Sequence, residues 1–150
     1  MCKQKALCTS AIGNLMETRM DAFMIAPCGM NCGICMAHQR EKNHCSGCRD
    51  DTREKSKYCA KCIIANCDKR DGKDADFCYV CDVYPCVRLK ALDKRYRTNY
   101  EMSMLENLDY IKKHGIENFV ENEKIRWACD TCDGLICVHR GYCFVCGKPE

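Results

Sequence analysis

Large apolar side chains are scarce in this chain of 150 residues. Leu, Ile, Val and Phe together account for 26 residues, about 17% of the sequence, and a content below about 20% is typical of chains that do not fold unaided. No apolar run approaches the ~20 residues that a membrane-spanning helix needs. The composition therefore excludes a membrane-spanning protein and predicts that something other than a conventional hydrophobic core stabilises the fold.

Signals for secretion and the common catalytic motifs are also missing. Residues 1–27 contain neither a continuous apolar segment nor a credible signal-peptide cleavage site, so we expect a cytoplasmic protein. The motifs G-x-S-x-G, G-x-x-x-x-G-K-[ST], H-E-x-x-H and G-x-G-x-x-G do not occur. We therefore assign no catalytic residue, and an enzyme is not the favoured interpretation.

Cysteine, by contrast, is abundant. The 18 cysteines make up 12% of the chain, above the roughly 8–10% that marks a cysteine scaffold. In a reducing compartment such a pattern indicates metal binding rather than disulfides. Six C-x2-C pairs occur, namely Cys32/Cys35, Cys45/Cys48, Cys59/Cys62, Cys78/Cys81, Cys129/Cys132 and Cys143/Cys146. Structural zinc typically takes its four ligands from two such turns, so the sequence predicts three to four zinc ions.

The cysteines of residues 25–86 can be divided into metal sites in several ways. One compact division gives two sites of four ligands each: Cys45, Cys48, Cys59 and Cys62 form the first, and Cys67, Cys78, Cys81 and Cys86 form the second. Interleaved pairings are equally possible, because spacing does not determine connectivity. This division leaves three cysteines without a partner set, Cys28, Cys32 and Cys35.

These three cysteines have a C-x3-C-x2-C spacing, which can hold a [4Fe–4S] cluster with one open iron. On that alternative the protein is an iron–sulfur, redox or enzymatic protein that uses this triplet. We favour a zinc site that is closed by a fourth ligand, because the neighbouring turns all resemble zinc turns. The candidates for that ligand are His38, His44, Cys86 and Cys137.

The C-terminal cysteines resemble a zinc ribbon. Cys129 and Cys132 form one turn, Cys143 and Cys146 form the other, and ten residues separate them. We expect positive φ angles at Gly134 and Gly147 and a strand over residues 135–138. Cys137 is interpreted as a small buried apolar residue and the following residue, His139, as a surface residue.

The chain is predicted to be a small α+β protein that is held together by metals. Residues 1–24 are expected to form a weakly structured extension, in which Cys2 and Cys8 bind no metal. A multi-metal domain is expected over residues 25–86, a helical connector over residues 87–127 and the ribbon module over residues 128–150. An apolar stripe at Val87, Leu89, Leu92 and Tyr96 predicts the first helix of the connector. Residues 103–106 have the capping-box pattern, Gly115 is expected to end that helix in αL, and residues 116–127 predict a further helix.

The first cysteine region resembles a known family. The segments CGMNCGIC, CSGC, CAKCIIANC and CYVCDVYPCVRL are similar to the cysteine-rich domain of unknown function 3795, over residues 26–90. Residues 100–148 resemble a subgroup that carries a C-terminal extension. The family usually has Pro after the third cysteine, where this chain has Met36. The resemblance implies a cytosolic, zinc-binding protein of bacteria and archaea, largely anaerobes, and it implies no reaction.

The favoured function is a zinc-binding protein whose structural metals support the binding of a protein partner through the helical connector. Nucleic-acid binding is a further candidate, because Arg88, Lys90, Lys94, Arg95 and Arg97 cluster around Tyr96. However, ligation of four zinc ions by 16 thiolates would change the formal net charge from +3 to about −5. We therefore do not favour a nucleic-acid partner, and we expect no membrane partner.

Overall fold

The computed structural model describes residues 20–50, 55–70 and 77–149. Cys2, Cys8 and residues 1–19 of the expected extension lie outside the described residues. The last part of that expected extension is folded, because Met20 and Met24 are buried and Ala22–Met24 form a 3₁₀ turn. The Asp21 side chain begins this turn by accepting hydrogen bonds from the backbone of Phe23 and Met24.

The architecture is a small α+β fold, as predicted. Two single-turn helices, α1 (Met36–Gln39) and α2 (Lys57–Ala60), lie among the first cysteine loops, together with 3₁₀ turns at Cys32–Ile34, Asp68–Arg70 and Cys78–Val80. Three longer helices follow, α3 (Val87–Tyr100), α4 (Met104–His114) and α5 (Ile116–Arg126). The chain ends in an antiparallel hairpin of β1 (Ile136–Cys137) and β2 (Tyr142–Cys143), with Ile136 paired to Cys143.

The start of α4 is held by side chains. Ser103 Oγ accepts a hydrogen bond from the Glu106 backbone at 3.0 Å, which confirms the serine half of the predicted capping box. The Glu106 carboxylate accepts from Arg97 Nη1 at 2.9 Å, where a full capping box would direct it to Ser103. Asp93 of α3 accepts from Ser103 Oγ at 2.7 Å and from the Leu105 backbone at 3.0 Å, so α3 and α4 are joined at this point.

Gly115 separates α4 from α5. Its φ is 86° and its ψ is 161°, so the predicted positive φ is confirmed but the predicted αL conformation is wrong. The extended ψ directs the chain out of α4 and straight into α5, whose Phe119 N–H donates to the Gly115 carbonyl at 3.2 Å. A residue with a Cβ would be strained at this φ.

One apolar core includes side chains from every part of the described chain. The buried apolar side chains of α4 and α5 belong to one cluster with Ile25 and Ile34 of the first region and Val138 of the hairpin. In α3, Leu89 is fully buried and Leu92 and Tyr96 pack against the core. Val87 was wrongly placed in this stripe, because it lies at the first position of α3 and is 83% exposed. Within the described ranges, no helix combines the length and apolar character needed to cross a bilayer.

A buried polar network joins α5 to the first cysteine region. Glu123, which is 1% exposed, accepts hydrogen bonds on Oε2 from Asn31 Nδ2 and from Trp127 Nε1, both at 3.0 Å. Asn31 Oδ1 accepts in turn from the Gly33 backbone at 2.9 Å. Burial raises the pKa of Glu123, while the contacts with Asn31, Arg126 and Trp127 oppose that rise. The network therefore fixes the position of Cys32–Ile34 relative to α5.

We predict that Glu123→Leu lowers the free energy of unfolding, by roughly 1–3 kcal/mol for each of the two donors that it leaves unpaired. Glu123→Gln keeps an acceptor and should cost much less at neutral pH. A raised pKa in the folded state makes the wild type lose stability as the pH rises through that pKa, and the glutamine variant should lack this loss. Thermal unfolding at constant metal content measures the stability of the wild type and of both variants. The comparison of the wild type with Glu123→Gln across a range of pH checks the pH dependence. Equal stability of the leucine variant and the wild type would contradict them.

Candidate metal centre

The hairpin and the turn after α5 bring four cysteines together. Cys129 follows Trp127 at the end of α5, and its N–H donates to the Gly134 carbonyl at 2.9 Å, which closes the first turn. Cys143 lies on β2, and the Gly147 N–H donates to its carbonyl at 2.8 Å, which closes the second turn. Ile136 donates to the Trp127 carbonyl at 2.8 Å, so α5 supports the base of the hairpin. We call Cys129, Cys132, Cys143 and Cys146 the ribbon site.

The sulfur geometry of the ribbon site fits a tetrahedral metal. Cys129 Sγ lies 3.6 Å from Cys146 Sγ, and Cys132 Sγ lies 3.6 Å from Cys143 Sγ. All four sulfurs lie within 4.8 Å of one another. A zinc ion with four bonds of ~2.3 Å separates its sulfur ligands by about 3.8 Å. Among the described residues, this is the one set of three or more His, Cys, Asp or Glu ligands so closely gathered.

The electrostatics of the ribbon site also suit a cation. Backbone N–H groups of Thr131 and Cys132 lower the pKa of the Cys129 thiol to about 7. At Cys132 the Gly134 N–H, 3.4 Å from the sulfur, lowers the pKa, but desolvation and the three neighbouring thiols raise it to about 12. One thiol thus ionises readily and its neighbour is then held neutral, unless a metal ion accepts both thiolates.

Gly134 makes the close approach of the two turns possible. A Cβ at this position would lie 2.7 Å from Cys143 Sγ and 2.9 Å from Val145 Cγ2. The prediction of a positive φ at Gly134 is wrong, whereas that at Gly147, with φ of 74°, is confirmed. The sequence analysis singled out Gly134 for a positive φ, whereas the structure requires glycine there because of the close contact with Cys143 Sγ. Such a contact across the hairpin leaves no local signal in the sequence.

The two residues beside the ribbon site differ in role. Cys137 is completely buried and stands outside the four-sulfur set, as predicted. His139 is half-buried rather than on the surface, so that expectation is wrong. Its Nδ1 accepts from the Met36 N–H at 3.2 Å, and its Nε2 lies 2.9 Å from the Tyr96 hydroxyl. Burial lowers the pKa of His139. This neutral ring links the hairpin to α1 and α3.

A second cysteine group lies at the start of α3. Cys67, Cys78, Cys81 and Cys86 line one cavity together with Arg70, and this is the same set that the compact division groups together. Cys86 is the N-cap residue of α3. Burial raises the pKa of Cys78 to about 11, the Arg70 charge lowers it, and Cys86, Cys67 and Cys81 raise it. Sequence reasoning missed Arg70, because a lone arginine carries no signal of its position.

Several of the remaining seven cysteines in the first region lie near one another. The Cys48 thiol contacts the thiols of Cys32 and Cys59, and Cys59 also contacts Cys45. Burial raises the pKa of Cys28 to about 12 and that of Cys35 to about 11. The Cys48 N–H also donates to Cys32 Sγ at 3.4 Å, a contact that the compact division does not contain, and the division itself stays a prediction.

The two candidate histidines lie beside this region. His38 Nδ1 is 2.7 Å from the Cys45 carbonyl oxygen, and the His38 and His44 rings face each other with centroids 4.8 Å apart. Burial lowers the pKa of His38. His38 therefore holds the Cys45 turn in place through its backbone oxygen.

Comparison with known proteins identifies the first region. Residues 24–91 match the family model described as "Protein of unknown function (DUF3795)". This stretch is therefore similar to that family, and we call residues 24–91 the DUF3795 segment. No curated protein and no solved structure matches the sequence. The DUF3795 segment contains the cysteines from Cys28 to Cys86, and the ribbon site lies outside it. The predicted subgroup with a C-terminal extension stays a prediction.

We predict that Gly134→Ala weakens metal binding at the ribbon site, because the new methyl group overlaps Cys143 Sγ. Overpacking of this kind costs roughly 1–3 kcal/mol, so the variant should lose one metal per chain at a lower chelator concentration than the wild type. Native mass spectrometry in graded chelator measures this.

The matched control is Gly141→Ala. Gly141 also lies in the hairpin and has a φ of 65°, but a Cβ there meets nothing within 4 Å. This control should therefore strain the backbone and leave the metal in place. If Gly134→Ala retains its metal as tightly as Gly141→Ala does, the assigned role of Gly134 is wrong.

Proposed function

We propose that the protein is a zinc-binding protein of the cytoplasm whose metals are structural and support the binding of a protein partner. One observation carries the proposal: two turns of a hairpin bring the four sulfurs of the ribbon site within 4.8 Å of one another. Four protein ligands fill a tetrahedral shell and leave no open position, which is characteristic of structural rather than catalytic zinc.

The chemistry of the remaining cysteines supports the same proposal. All sixteen cysteines in the described ranges are free thiols, which is the form that binds metal in a reducing compartment. Thiolate-rich sites favour zinc, Cu(I) and iron–sulfur clusters over hard cations. Zinc is the proposed ion because closed four-sulfur sites of this kind are its commonest structural setting.

The proposed partner is a protein, and the helical connector is the proposed binding surface. Val87 of α3 is 83% exposed and Ile125 of α5 is 78% exposed, so each of these helices offers one large apolar side chain to a partner. The basic cluster of α3 is partly neutralised, because Arg97 forms salt bridges with Asp93 at 2.7 Å and Glu106 at 2.9 Å. Nucleic-acid binding is therefore the weaker proposal.

Elemental analysis of the protein purified without oxygen tests the proposal. We expect a colourless protein with zinc and no sulfide. Cys132→Ser should lose one zinc per chain, since it removes a ligand of the ribbon site. The matched control Cys137→Ala changes a buried cysteine of the same hairpin and should keep the full zinc content. A brown protein that contains iron and sulfide would contradict the zinc assignment, and full zinc retention by Cys132→Ser would contradict the site.

A further inference from the structure

Two pairs of sulfurs face each other across the ribbon site. Cys129 Sγ lies 3.6 Å from Cys146 Sγ, and Cys132 Sγ lies 3.6 Å from Cys143 Sγ. The S–S bond of a disulfide is about 2.05 Å long, so the sulfurs of each pair need to approach by only about 1.5 Å. Because the two members of a pair come from different turns, a disulfide would link the same two turns that a bound metal links.

The two pairs differ in their access to solvent. Cys146 is exposed, and it is the one exposed cysteine among the sixteen that the structure describes. Cys132 is partly buried and Cys143 is 0% exposed, so the second pair presents little sulfur to a solute. Thiol oxidation follows exposure and thiolate character. An oxidant from solution should therefore reach Cys146 first.

Contacts beside the first pair hold its two turns together. Lys148 Nζ lies 3.0 Å from Oδ1 and 3.2 Å from Oδ2 of Asp130, and Asp130 directly follows Cys129 in the chain. An exposed ion pair contributes little by itself, but the Cys143 N–H also donates to the Lys148 carbonyl at 2.8 Å. The segment after Cys146 is thus folded back onto β2, which keeps Cys146 opposite Cys129.

We propose that the ribbon site is also a site of reversible oxidation, at which a peroxide links Cys146 to Cys129 and the metal is released. The Cys146 thiolate attacks one peroxide oxygen: an S–O bond forms, the O–O bond breaks, and the other oxygen leaves and takes a proton. The Cys129 thiolate then attacks the oxidised sulfur, an S–S bond forms, and hydroxide leaves and takes a proton. Two thiols are oxidised in total, and one peroxide is reduced to water and an alcohol, or to two waters.

This disulfide removes two of the four ligands of the ribbon site. Cys132 and Cys143 remain, and two sulfurs are fewer than the four protein ligands that structural zinc takes. The metal therefore leaves, while the disulfide keeps the two turns linked. In a reducing compartment, disulfides are usually transient and redox-sensing, which suits a bond that forms at an exposed sulfur. The inference rests on the proposed function only in that the ribbon site binds a metal.

Peptide mapping after stepwise addition of hydrogen peroxide to the full, metal-loaded chain tests the proposal. Free thiols are blocked with N-ethylmaleimide before digestion, and the released metal is measured in the same samples. We expect the Cys129–Cys146 disulfide to appear first, together with the loss of one metal ion per chain. A dithiol reductant with added zinc should reverse both changes.

Three results would overturn the proposal. The first is a disulfide between Cys132 and Cys143 that forms before any other in the ribbon site. The second is oxidation of Cys146 to a sulfinic acid while Cys129 still reacts with N-ethylmaleimide. The third is a set of ribbon thiols that all stay free while other cysteines of the chain are oxidised.

The matched control is Cys137→Ala, which removes a completely buried cysteine of the same hairpin. It should form the same disulfide at the same peroxide concentration, and loss of the disulfide in this variant would contradict the assigned pairing. The two proposals fail in different measurements. An unchanged metal content of Cys132→Ser before peroxide is added contradicts the proposed function. A ribbon site that binds metal but gives a different first oxidation product contradicts the redox inference alone.

Discussion

Repulsion between neighbouring thiolates is the constraint on which this structure depends. Four sulfurs within 4.8 Å of one another cannot all be ionised at neutral pH unless a cation lies among them. The opposite pKa shifts of Cys129 and Cys132 express this conflict. A metal ion bound by the four sulfurs would remove this repulsion and would cross-link the two turns that carry them.

The cysteine turns and the apolar core depend on each other. Large apolar residues are few, and those present form one cluster shared by the cysteine loops, the helices and the hairpin. The Val138 N–H donates to the Ile34 carbonyl at 3.0 Å, and Glu123 holds Asn31 from α5. The helices thus orient the turns that carry the sulfurs. Apolar residues from these turns in their turn complete the core.

Local signals made part of the structure predictable. The hydroxyl of Ser103 starts α4 as its spacing to Glu106 indicates, and the ligand spacing of Cys129 and Cys132 identified the ribbon site. The failures at and beside the cysteine sites are tertiary. His139 Nε2 lies 2.9 Å from the Tyr96 hydroxyl, Gly134 is required by a sulfur across the hairpin, and the Cys48 N–H donates to Cys32 Sγ. Each contact joins residues that carry no mark of one another in the sequence.

Amide hydrogen exchange before and after verified metal removal tests most directly whether the metals hold the fold. Structural zinc contributes on the order of 10 kcal/mol per site, as much as the whole stability of a small domain. We predict that the metal-free chain loses protection at the amides of Cys129, Ile136 and Cys143 and at those of residues 25–50, 55–70 and 77–86. Protection that remains unchanged at these amides, with no metal bound, would contradict the account.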